Sequence, residues 1–557
     1  MSNADTMTTT PRIPWWMTFA MSGVGVLMLA VFLAPRRDLP VLPRPPEDRD
    51  VLRVAYAMPL TLDPQGWQFF QPTQNQLILS LWEPLIECDP ETGQPLPVAA
   101  AGWRWSDDRL TLTLSLRPEG RWSNGDPVTA HDYVRSWRRL LSRETGWSGV
   151  LFPIRNAEAI HRGELRDPAA LGVEALDDLT LRIHLNAVRS TLVAELADPL
   201  LVPLHQSSVP LLEAYDYVRT PGDLVTNGPF RLEQSGPDGF RLAVSPHYRD
   251  RKSVALRGLE FVRTESPALA RLLLAAGRVD VAIPPAAGAP GGLPTRRRVT
   301  EETETVLKIL SLDFNLAREP LRDVRVRRAL ALAMNRADAI PESDRGRMVP
   351  AYSWVPDMPG RPALAAMRED AAEARRLLAE AGYPEGRGFP VLILPVNARH
   401  ENYAYLHAWT DSWFRELGVR TYLALETGEG RKRRVEAGDY DVAINGILAT
   451  VPDAGDLLSV FAHPERFNIP SWHNPEFTRL MAEANRTAGA DRLALLEKFE
   501  RRVMDEAVTI PTLFERRRTL LAVEVGGWYA DPLGRQALKR LSIRPPEKGE
   551  PPREGRL

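Results

Sequence analysis

The chain has 557 residues, several times the roughly 150 of an average domain, with 44% hydrophobic and 25% charged side chains; that composition excludes wholesale disorder and predicts more than one folded unit. Lys and Arg number 70 against 72 Asp and Glu, for a net charge of −2, so there is no global basic field to hold DNA or RNA. The single cysteine, Cys88, excludes an intramolecular disulfide, a CxxC redox pair and a cysteine-rich zinc site.

After a tail over residues 1–14, residues 15–34 read WWMTFAMSGVGVLMLAVFLA. This uncharged apolar run of about 20 residues is long enough for a helix to cross roughly 30 Å of hydrocarbon. Its end, Phe32-Leu33-Ala34 before Pro35, is a poor A-x-A cleavage site, and no cysteine closes the run to carry a lipid. An uncleaved membrane anchor is therefore expected in preference to a cleaved signal segment. Arg36 and Arg37 follow the run where Arg12 alone precedes it, and the positive-inside rule weighs against a body outside the cytoplasm. Residues 35–50, rich in proline and charge, read as a semi-extended linker, and residues 544–557 as a disordered tail.

Between them the patterning alternates between the two regular periods. Period-2 alternation predicts strands over Val51 to Ala57, Leu110 to Leu116 and Thr180 to Leu185. Helical spacing predicts helices over Ala130 to Leu141, Ala268 to Ala276, Val324 to Met334, Asp370 to Ala381, Tyr403 to Leu417 and Pro475 to Asn485. Asp323 suits an N-cap, and Gly382, with Pro384 beyond it, a helix stop. The class is mixed α/β, without a repeat of fixed period.

Chemistry-bearing motifs are scarce. The nine histidines form no HExxH or comparable metal spacing, and no P-loop, Rossmann fingerprint or nucleophile elbow occurs. No cofactor and no catalysis are expected. The run Arg431-Lys432-Arg433-Arg434 is flanked by Glu426, Glu429 and Glu436 and reads as a solvated face. Of 14 tryptophans, seven fall between Trp67 and Trp147; most are expected in the core, where an indole buries a large area.

The segment Pro97 to Leu141, PVAAAGWRWSDDRLTLTLSLRPEGRWSNGDPVTAHDYVRSWRRLL, resembles the signature of the family 5 extracellular solute-binding proteins, the peptide and nickel receptors of ABC importers. Matches continue in the same order: Leu62-Asp63-Pro64, TNGPFRL (226–232), LLAAGRVDV (273–281), NLAREPLRDVRVRRALALAMNR (315–336), DYDVAINGI (439–447) and VGGWYADPL (525–533). The resemblance implies a two-lobed periplasmic binding protein-like fold of type II, with an extra domain beside the first lobe, closing around its ligand. The first lobe with the extra domain would span 51–309, the second lobe 310–509, and a return to the first lobe 510–543. It implies a peptide or related solute as ligand and a membrane permease as partner, with no nucleic acid.

In the peptide receptors of this family an aspartate in a G-W-x-x-D-Y segment pairs with the ligand's α-ammonium. Here Thr450 stands at the aspartate's place, Ile447 at the tryptophan's, and Ile444 where an arginine precedes the glycine. Losing that charge-assisted bond is worth about 1.5–3 kcal/mol, so free-amine peptides should bind poorly. Phe69, Phe70, Gln71, Asn445, Gly446, Ile447 and Thr450 are the expected ligand-binding residues, with Asp453 as a turn-capping acid in the following loop. Two readings stay open: a receptor retuned to a less charged solute, or a membrane-tethered sensor or assembly module that no longer serves transport.

Overall fold

The computed structural model describes residues 50–544 apart from 58–59, 67–71, 91, 143–147, 215–220, 284–296, 359–360, 399–402, 463–473, 530 and 532. The expected span 15–34, the linker up to residue 49, and the tail from residue 545 lie outside the described residues. Among the described residues, no helix is long and apolar enough to cross a membrane.

Strand β1 (Val51–Tyr56) is buried along its whole length and leads to helix α1 (Pro72–Leu81). Four antiparallel strands follow, β2 (Ala100–Trp105), β3 (Thr111–Leu116), β4 (Val173–Asp177) and β5 (Thr180–His184), with β5 between β3 and β4. Helix α2 (Ala130–Ser142) interrupts them. The W-S-N-G-D-P-V-T-A-H-D segment is the device that starts it. Gly125 takes a left-handed φ of 96° in the turn, and Asp132 Oδ2 accepts from the Thr129 backbone N–H (2.8 Å) and hydroxyl (3.1 Å), fixing the chain's entry into the helix.

The antiparallel run β6 (Phe230–Gly236), β7 (Gly239–Val244) and β8 (Gly258–Arg263) then lies beside β1, with β8 parallel to it. Helix α3 (Pro267–Ala275) crosses over to β9 (Val281–Ala282) on the other side of β1. The long strand β10 (Val299–Phe314) opens the second body. That body contains α4 (Val324–Leu332), α5 (Ala371–Glu380), the parallel pair β11 (Leu392–Asn397) and β12 (Thr421–Glu426) joined through α6 (Tyr403–Leu417), and α7 (Gly428–Glu436). Strand β13 (Val442–Leu448), helices α8 (Ala454–Ala462), α9 (Pro475–Arg486) and α10 (Gly489–Glu506), and the long strand β14 (Thr509–Ala522) complete it.

One nine-stranded sheet joins both bodies, in the order β13-β10-β14-β9-β1-β8-β7-β6, with the short strand Met348–Pro350 beside β14. Its two longest strands, β10 and β14, pair from Val299↔Ala522 to Asp313↔Thr509, and the register breaks between Thr305 and Ile309 and again between Leu310 and Ser311. On one side of the breaks β14 meets β9 of the first body; on the other, β13 pairs with β10. Bulges bend and twist a strand pair locally, so the crossing between bodies is also where the sheet is least regular.

Three main cores follow from this. The first runs from Leu52 to Val281 and includes Leu521, Leu538 and Leu541; it absorbs the four-stranded sheet, so the extra domain shares a core with the first lobe. The second gathers Leu312, Phe314, Trp409 and Trp413, and the third Trp354, Phe461, Phe477 and Phe499. Trp82, Trp122 and Trp137 are fully buried, as the sequence predicts; Trp67 and Trp147 lie outside the described residues.

Candidate ligand-binding site

Phe69, Phe70 and Gln71 lie outside the described residues. The other expected site residues sit on β13 and the loop after it. Asn445 is half-buried; its Nδ2 donates to Asp313 Oδ2 at 3.1 Å, and its Oδ1 accepts from the Gly446 N–H at 3.0 Å. Asp313 also accepts from Ser311 Oγ (2.9 Å) and Thr509 Oγ1 (2.6 Å), and burial pushes its carboxyl up against those bonds. Gly446 is exposed. Ile447 is only 8% exposed and packs into the third core.

The basic run on α7 departs from its expected solvated face. Lys432 and Arg433 are exposed, whereas half-buried Arg431 turns inward and its Nη2 donates to the Ile444 carbonyl. A guanidinium thus reaches position 444 from a neighbouring helix. Arg434 pairs with Glu426 and Asp439.

The loop from Ala449 to Asp456 holds the decisive geometry. Thr450 donates to Asp456 Oδ2 through its backbone N–H (2.5 Å) and its Oγ1 (3.0 Å). The Val451 N–H approaches the same oxygen at 3.4 Å. Burial raises the Asp456 carboxyl to about 6, against the pull of Arg189. Asp453 does cap a turn, accepting from the Gly455 N–H at 2.7 Å, but it also forms a two-pronged pair with Arg492 of α10 at 2.7 and 2.8 Å. Both acids near Thr450 are therefore committed within the loop and its supporting helix.

Comparison with known proteins agrees with this architecture. The family described as "Bacterial extracellular solute-binding proteins, family 5 Middle" matches residues 94–468. The chain belongs to this family. As a member it is an extracytoplasmic solute-binding protein of the oligopeptide and dipeptide type. It is 30% identical to the probable deoxycholate-binding periplasmic protein YgiS of Escherichia coli K12, over 84% of this chain and 89% of that one. It is 26% identical to the periplasmic oligopeptide-binding protein OppA of Salmonella typhimurium LT2, over 94% and 97%. Among solved structures, the unliganded open form of the murein tripeptide binding protein MppA superposes with a TM-score of 0.72 at 25% identity, covering 89% of this chain and 97% of that one. Haemophilus influenzae OppA in complex with RPPGFSPFR gives 0.65 at 25%, covering 89% and 99%.

In this solute-binding protein, the structure adds residues that sequence reasoning missed, all where the two bodies meet. Arg189 pairs with Glu195 at 2.6 Å and faces Asp456 at 4.0 Å. Ser190 Oγ donates to Asn485 Oδ1 at 3.2 Å. Arg535 joins Asp198 to the Thr450 carbonyl. A signal for Arg535 was available, since it stands two residues beyond the matched D-P-L segment; Arg189 lies in no motif.

Proposed function

We propose that this protein is the substrate-binding component of a peptide-type ABC importer and captures, by lobe closure and without catalysis or cofactor, a peptide or related solute that is not anchored by a free α-amine. The observation that carries this reading is the loop at Thr450. The hydroxyl at the family's ammonium-binding position is bonded to Asp456, Asp453 is bonded to Arg492, and Asp456 is bonded back to the loop. Two relatives bracket the ligand chemistry, one named for oligopeptides and one for deoxycholate, an amphipathic acid without an amine.

The lobes are taken as 51–309 with 510–543, and 310–509, with β10 and β14 as the hinge and the irregular register at Thr305–Ile309 absorbing the rotation. Asn445, Gly446, Ile447 and Thr450, together with Phe69, Phe70 and Gln71, are assigned to the ligand's surroundings. Residues 15–34 hold the body at the inner membrane, beside the permease that receives the solute. The test is native mass spectrometry of protein purified from its own host, followed by calorimetry with free-amine tripeptides, their N-acetylated forms and deoxycholate. A retained or preferred ligand lacking an amine supports the reading; tightest binding to free-amine peptides overturns it.

A further inference from the structure

Arg535 stands at the junction of the two bodies with more donors than partners. Its Nη2 donates to Asp198 Oδ2 at 2.9 Å and to the Thr450 carbonyl at 2.8 Å, so a single nitrogen spans from the first core to the loop of the third. The side chain is 7% exposed. Its Nε and Nη1 are shielded from solvent, and among the described residues no acceptor lies within hydrogen-bond distance of either. Asp198 does not relieve them, because its Oδ2 meets Nη2 and its Oδ1 accepts from the Leu200 N–H at 2.9 Å. The next residue, Gln536, is engaged with Gln76 and Glu304.

A guanidinium offers five N–H donors in a rigid plane and accepts nothing. Buried donors left unmatched are rare in native proteins and call for a cause. Carboxylates are the partners that fit a guanidinium best in charge and geometry. The nearest acids of the facing loop, Asp453 and Asp456, are committed elsewhere.

We propose that Arg535 is a specificity-determining residue: its unmatched N–H groups receive a carboxylate oxygen of the captured solute beside Thr450. The cleft then selects an acid where the peptide receptors of the family select an ammonium. This rests on the solute-capture reading above and narrows its ligand to carboxylic acids.

The test is calorimetry on the full-length protein with two matched pairs: deoxycholate against its methyl ester, and an N-acetylated tripeptide acid against its C-terminal amide. In at least one pair the acid should bind about ten- to a hundredfold tighter than its neutral partner, the span of one charge-assisted bond. Arg535→Gln should erase that ratio, while Arg535→Lys, which keeps the charge beside Asp198, should retain part of it. A thermal melt identifies a variant that fails to fold, in which case the other variant decides. Equal affinity for acid and neutral member in the unmodified protein, or a ratio undiminished in Arg535→Gln or in Arg535→Lys, overturns the role of Arg535 alone. Binding of neither member of either pair overturns the solute-capture reading for these classes and the role of Arg535 with it.

Discussion

Thr450 and Asp456 are tied through one oxygen, the Asp456 Oδ2 that accepts both the backbone N–H and the hydroxyl of Thr450. An acid introduced at position 450 would therefore meet an acid already there, and two carboxylates at hydrogen-bond distance cannot both ionise cheaply. Thr450→Asp alone should lose about 1–3 kcal/mol of stability at pH 8 and less at pH 5. The double variant Thr450→Asp with Asp456→Asn removes the conflict. It should gain at least about tenfold affinity for free-amine tripeptides over the unmodified protein. Urea melts at the two pH values and calorimetry with a tripeptide read these outcomes, and no gain in the double variant would count against Thr450 lining the site.

The same carboxyl makes stability depend on pH in a stated direction. Its folded value of about 6 lies above the roughly 3.9 of an unfolded aspartate, so between them the folded state binds more protons. Asp456 then favours folding least above pH 6 and most below pH 4. Asp456→Asn keeps an acceptor for Thr450 and removes the titration. Relative to that variant, the unmodified protein should lose about 1–3 kcal/mol as pH rises from 4 to 7, measured by denaturant melts across the range.

Glu304 of β10 is a buried hub where the long strands cross between bodies. It receives Arg517 Nε, the Asp531 N–H at 2.7 Å and Gln536 Nε2 at 3.3 Å, and burial still holds its carboxyl above the usual range against Arg517. Arg517→Met should cost about 3–5 kcal/mol because it leaves Glu304 buried and unpaired, whereas the pair Glu304→Gln with Arg517→Met should cost less than Arg517→Met alone. A double-mutant cycle by urea denaturation checks the sign.

The T-N-G-P-F segment acts as a clamp on the end of α1. Asn227 Oδ1 accepts from the Glu83 N–H at 3.0 Å, its Nδ2 donates to the Glu83 carbonyl at 3.2 Å, and the Gly228 N–H donates to the Leu81 carbonyl at 2.8 Å. A Cβ on Gly228 would sit 2.5 Å from the Leu81 carbonyl carbon. Gly228→Ala should destabilise the protein by about 1–3 kcal/mol, with a lower melting temperature and α1 amides that exchange faster.

Much of the fold was legible in the sequence where one face is wet. Helices predicted over Ala130 to Leu141 and Tyr403 to Leu417 are found over Ala130–Ser142 and Tyr403–Leu417. Asp323 caps α4 by accepting from the Arg325 N–H, and Gly382 follows α5 with φ of 97°. Some elements buried on every side were not legible. Helix α1, PTQNQLILSL, buries Gln74, Asn75 and Gln76 along with its leucines, so neither polarity nor period marks an inner face. Strand β10 is half-buried or exposed from Val299 to Thr303 and buried without a break from Ile309 to Phe314, and a run buried on both faces carries no alternation.

In the loop after β13, sequence position singled out Thr450 but not its partners. Asp456 is six residues along the chain and Arg535 eighty-five, and only the folded loop brings the three together. The inward turn of Arg431 hides in a run where Lys432 and Arg433 are exposed, because composition records charge and not direction.

The first core takes Leu521, Leu538 and Leu541 from the end of the chain. A chain delivered from its N-terminus first therefore has the whole of the second body emerge before the first can close. The earlier body must wait, with β9 lacking the neighbour that β14 supplies later and with part of its apolar surface uncovered. Loss of the segment after β14, which carries Leu538 and Leu541, should accordingly unsettle the part of the protein made first, leaving the part made second the better preserved.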